Sequence, residues 1–114
     1  MGKWYSGNAN DDAPARRGWL LGHFIRPADD VRCTSDAEVK WGIHPIGDSR
    51  AGWTTDDQRT TMVILVSGRF ELKLSEGTKI LEQQGDYVVW GPGIDHSWHA
   101  LEASVVITVR WPSV

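Results

Sequence analysis

The chain has 114 residues, 40% hydrophobic and 24% charged, with a formal net charge of −3, which describes one ordinary globular domain. That acidic balance, with no basic stripe, excludes an electrostatic nucleic-acid binder, and the apolar run Met62–Val66 is far too short to cross a bilayer. The start lacks the apolar core of a secretory signal, and the single Cys33 permits no intrachain disulfide, so a cytoplasmic protein is expected.

Met1-Gly2 followed by Ser6 fits a myristoylation pattern only loosely, since Lys3, Trp4 and Tyr5 intervene. Residues 1–17, rich in Gly, Asn, Asp, Ala and Pro, are expected to form a flexible arm, and 18–114 one domain. The apolar run "GWLLGHFIR" (18–26), broken at Gly22, reads as a first strand or a docked arm, with His23 in a structural role. Cys33 beside Arg32 has no flanking base and reads as an ordinary thiol. "AEVKWGIH" (37–44) alternates: Val39, Trp41 and Ile43 share one face, and Glu38, Lys40, Gly42 and His44 the other. The second face is either solvated or a pocket wall; as a wall it points Lys40 and His44 inward and leaves Trp41 for a subunit interface.

Residues 45–52 read as a loop that carries Arg50. "TTMVILVSGRFELKL" (60–74) reads as two strands folded at Ser67-Gly68, and "SEGTK" (75–79) as a turn. "YVVW" (87–90) reads as a short buried strand, "GPG" (91–93) as a turn and "SVVITVRW" (104–111) as a last, β-branched strand. Arg110 is placed on the surface or at a dimer contact. No stretch holds a 3.6-residue period, so little helix is expected. Short strands with frequent turn signals predict an all-β barrel or jelly roll. Seven tryptophans are a heavy load for this length, and most should serve the core or an interface.

The stretch "GDYVVWGPGIDH" resembles the second motif of the cupin superfamily, G-x5-P-x-G-x2-H-x3-N. Gly85 opens it, Gly91 stands at the proline position with Pro92 one place late, and Gly93 and His96 match, while Ala100 replaces the asparagine. The first motif, G-x5-H-x-H-x3-4-E-x6-G, aligns on Gly47 and Gly68 and meets Trp53 and Thr55 at its histidines and Thr61 at its glutamate. The resemblance implies a double-stranded β-helix and, for a small cupin, a homodimer. Of the family's four metal ligands it carries over only His96.

One histidine cannot hold a divalent metal that wants three or more protein ligands, so no cofactor is expected. A rebuilt set of His44, His96 and Asp56 or Asp57 is the alternative. His99 is three residues from His96 and faces the other way. If His96 points inward, Trp98 and Ala100 follow; if Thr61 does, so do Val63 and Leu65. The expected site is an aromatic pocket with His96 as general acid or base, and with Lys40, His44, Arg50, Trp53, Thr55, Thr61 and Trp98 around a small ligand. Burial beside Trp98 should lower the His96 pKa. Three functions follow: a metal-independent isomerase, epimerase or cyclase acting on a carbonyl compound, a ligand-binding barrel without turnover, or, with the relocated ligands, a metal-dependent cupin. No DNA-binding helix-turn-helix accompanies the barrel, which argues against a transcription regulator.

Overall fold

The computed structural model describes residues 3–114, so the Met1-Gly2 start of the myristoylation-like pattern lies outside the described residues. Eight strands form: β1 (Trp19–Leu21), β2 (Glu38–His44), β3 (Thr60–Ser67), β4 (Phe70–Leu74), β5 (Gly77–Leu81), β6 (Tyr87–Trp90), β7 (His96–Ala100) and β8 (Ser104–Trp111). They make two antiparallel sheets, ordered β1-β2-β8-β3-β6 and β5-β4-β7. Val63, Leu65 and Val106 of the first sheet meet Phe70, Leu72, Leu81 and Ala100 of the second in one core. The fold is the expected jelly roll.

The hairpin at Ser67-Gly68 forms as predicted. Gly68 has φ 97°, and a Cβ there would run into the Ala103 carbonyl, so only glycine fits the turn. Three elements differ from expectation. The strand 87–90 is not buried throughout: Trp90 is, but Tyr87 and Val89 are exposed, because β6 is an edge strand whose outer face is uncovered. Residues 75–79 are not all turn: Ser75-Glu76 alone make it, because Leu74 pairs with Gly77 and β5 begins there. β5 carries no apolar alternation in the sequence because its residues through Lys79 are exposed and polar, as suits an edge strand. Part of the expected arm is helical. Ala9–Asp12 form the short helix α1, capped by the Asn8 side chain, and a 3₁₀ turn follows at Ala13–Arg16. Ala13 is buried, and the Trp41 Nε1–H donates to Asn10 Oδ1 at 2.9 Å.

Alternation sorts the five-stranded sheet into two unlike faces. Inward go Glu38, Lys40, Gly42 and His44 of β2, Thr61, Val63 and Leu65 of β3, and Val106, Thr108 and Arg110 of β8. Outward go Val39, Trp41 and Ile43, in register with Val109, Ile107 and Val105 of β8. Met62 and Ile64 continue those rows to Val89 and Tyr87. The outer face is therefore apolar across four strands, with Ile43, Tyr87, Val89 and Trp111 exposed. The polar face of β2 is the pocket wall.

Candidate functional site

A cavity of about 170 Å³ lies between the sheets. β2 supplies Lys40, Gly42 and His44, β3 Thr61, β7 His96 and Trp98, and β8 Thr108 and Arg110; Trp19, Phe70 and Trp90 give it aromatic walls. An engineered cavity of about 150 Å³ holds a benzene ring, so a compact ligand fits.

His96 is 8% exposed and packs against Trp90, ring centroids 4.7 Å apart. Its aromatic neighbour is thus Trp90; Trp98 stacks instead on Phe70 and tilts against His44. His96 Nδ1–H donates to the Ile94 carbonyl at 3.1 Å. A carbonyl can only accept, so the proton sits on Nδ1 and Nε2 keeps its lone pair. Burial pushes the imidazole pKa below its usual value, against the raising effect of the Ile94 bond and Asp57. His96 is neutral and basic at pH 7.

His44 is held in a second way. Its Nδ1–H donates to Asp48 Oδ2 at 2.8 Å, which fixes the orientation of the ring and of its Nε2. A Cβ on Gly42 would lie 2.8 Å from that Nε2, so the missing side chain at position 42 is what admits the ring.

Lys40 pairs across the sheet with Trp19 in β1. Burial, then the nearby Arg110 and Arg50 charges, lower its pKa. Arg110, read from sequence as a surface or dimer residue, is a cavity residue. Its Nη2 donates to Glu38 Oε2 at 2.6 Å and its guanidinium lies 4.5 Å over the Trp19 ring. Glu38 is 1% exposed and also accepts from Arg59 Nη1 and from the Ser113 hydroxyl, both at 3.2 Å. The alternation of Val106, Thr108 and Arg110 already carried the signal; the habit of placing charges outside masked it. His23 has the structural role expected, with Nδ1 2.6 Å from Ser113 Oγ.

Of the residues expected at the site, Lys40, His44, Arg50, Thr61, His96 and Trp98 line the cavity, Arg50 from its exposed rim. Trp53 and Thr55 do not: Trp53 is half exposed and Thr55 is exposed, and Thr54 takes the wall position. Thr54 and His96 exchange backbone hydrogen bonds of 2.8 and 3.0 Å. The motif alignment is therefore one residue out of register, and a one-residue slip turns every side chain to the other face.

Thr61 is 2% exposed, and its hydroxyl has no hydrogen-bond partner among the described residues. A buried hydroxyl left so costs about 1–3 kcal/mol. The rebuilt ligand set does not assemble. Asp57 grips Arg59 through both carboxylate oxygens at 2.9 Å, and His44 holds Asp48. Among the described residues no three His, Cys, Asp or Glu side chains converge on a common point, so the donor set does not fit a cupin metal.

No family model and no curated protein matches the chain. Solved structures do. It is similar to KdgF from Halomonas sp. at 24% identity, covering 71% of this chain and 74% of that one with TM-score 0.63. It is similar to an RmlC-like cupin from Shewanella frigidimarina at 16%, covering 69% and 68% with TM-score 0.62. The Cnp3 cupin domain of Schizosaccharomyces pombe follows at 10%, covering 83% and 64% with TM-score 0.62. The fold is that of the cupin superfamily.

Proposed function

Taking the cupin barrel as scaffold, we propose that this protein is a metal-independent enzyme of the isomerase, epimerase or cyclase type. It moves a proton next to a carbonyl group of a small substrate, with His96 as general base and acid. The observation that carries the reading is the His96–Ile94 hydrogen bond, because it leaves a neutral, fixed Nε2 in a cavity that also holds cations. Nε2 takes the proton from carbon, and the electron pair moves to the carbonyl oxygen. Lys40 and Arg50 stabilise that oxyanion, and the imidazolium returns the proton. His44, oriented by Asp48, and Trp98 position the substrate.

The apolar outer face of the five-stranded sheet suits a second copy of the chain, so the working form is a homodimer. The unpaired Cys33 accords with a reducing cytoplasm. No helix among the described residues is long and apolar enough to cross a membrane.

Chelator-treated protein is incubated in D₂O with a panel of small oxo-acids, oxo-sugars and ketones, and deuterium entering carbon is followed by NMR. Exchange that persists after chelation and falls about 10²–10⁴-fold in His96→Ala is expected. Exchange that disappears with the chelator and returns with a metal would sink the reading. Saturable binding with no exchange would make the protein a ligand-binding barrel.

A further inference from the structure

The charges around the cavity do not balance. Glu38 and Asp57 are answered by Arg59 and Arg110, to which they bond directly. Lys40 and Arg50 line the same cavity, and among the described residues neither has a carboxylate within ion-pair distance. Asp48, the acidic group nearest in effect to Lys40, is already engaged by His44. Lys40 on the wall and Arg50 at the rim therefore give the cavity a cationic side, open to an anion that is present before any reaction.

Two donors without acceptors point the same way. Thr61 Oγ1 and Arg110 Nε are both buried and find no partner among the described residues, and both side chains line the cavity. A hydroxyl and a guanidinium N–H on adjacent strands, in a register that pairs Thr61 with Arg110, form a ready donor pair for one ligand oxyanion. Trp19, Phe70, Trp90 and Trp98 add flat apolar surface to the same wall, which suits the carbon skeleton of an organic anion better than a phosphate.

We propose that the cavity is a carboxylate site, in which the Thr61 hydroxyl and Arg110 Nε–H hold the carboxylate of a short oxo-acid, and Lys40 and Arg50 answer its charge together with that of the neighbouring carbonyl oxygen. The oxo-acid part rests on the proton-transfer reading above; the carboxylate part does not. The cavity volume limits the ligand to roughly six to eight non-hydrogen atoms, judged against the benzene-sized precedent.

The test is a titration of the metal-free protein with pyruvate, 2-oxobutyrate and propionate, followed by calorimetry and by tryptophan fluorescence. Methyl pyruvate and inorganic phosphate serve as comparisons. Carboxylates should bind saturably and at least about tenfold more tightly than the ester. Thr61→Val loses no existing hydrogen bond, so it should fold as well as the parent and bind carboxylate about 2–10-fold more weakly. Lys40→Met should weaken binding further.

Equal binding of the ester, unchanged affinity in Thr61→Val, or phosphate binding as tightly as the carboxylates would overturn the assignment. Propionate and the oxo-acids separate the two readings. Carboxylates that bind without deuterium entering carbon leave the site standing and defeat the enzyme; exchange of a neutral ketone with no carboxylate binding does the reverse.

Discussion

Arg110 donates to Glu38 across the β2–β8 pair at 2.6 Å, and Glu38 has almost no contact with solvent. This ion pair holds a cation on the inner face of β8, where a barrel would ordinarily place an apolar side chain. It joins Arg59, Ser113 and, through Ser113, His23 into one node that ties the chain end to the first long strand.

Breaking the node from its acidic side should be costly, because two half-buried guanidinium groups then lose the carboxylate they share, and Arg110 keeps no other. Glu38→Ala is expected to lose about 3–5 kcal/mol of stability in urea denaturation. A loss below about 1 kcal/mol would mean that the node contributes nothing net.

Asp57 sets an acid limit. Hydrogen bonds from Arg59 lower its pKa from 3.8 to about 2. A depressed carboxylate pKa means that the unfolded chain takes up the proton first, so the stabilisation is present above about pH 4 and is lost as pH falls towards 2. Thermal melts from pH 6 to pH 2 should show a decline in that window, and Asp57→Asn should flatten it while lowering stability at neutral pH.

His96 acts in a different window. Its folded pKa lies below the ordinary 6.5 because it is buried, so below pH 6.5 the unfolded state binds more protons and stability drops as pH falls. The same shift governs turnover: kcat/KM should stay level through neutrality and fall on the acid side at a pH below 6.5. An acid limb at or above 6.5 would assign the base to another group.

The outer face of the five-stranded sheet predicts self-association. Ile43 and Val89 are exposed on it, at 59% and 47%. Introducing Ile43→Glu with Val89→Glu places like charges on a self-complementary face. Sedimentation velocity should then change from dimer to monomer with little change in melting temperature; a parent chain that is monomeric at every concentration defeats the proposal.

The strands of the first sheet and the hairpin at Gly68 were legible because alternation and turn chemistry are local. So was the inward face of β7, since His96, Trp98 and Ala100 follow one another at a period of two. β5 was not, because an exposed edge strand has no apolar rhythm to read. Trp53 and Thr55 were placed by counting along a motif whose spacing this chain does not keep, and the Thr54–His96 bridge shifted the wall by one residue.

Taken by itself, the amino-acid sequence determined an all-β barrel and which residues share a face with Thr61 and with His96, because each depends on residue type and period alone. Tertiary structure decided which face of β2 is buried, since a row of Glu, Lys, Gly and His can face water or line a cavity with the same alternation. That choice was made across the sheet. Glu38 is held under by Arg59 and Arg110, residues 21 and 72 positions away in the chain, and charges are buried only where such distant partners meet them.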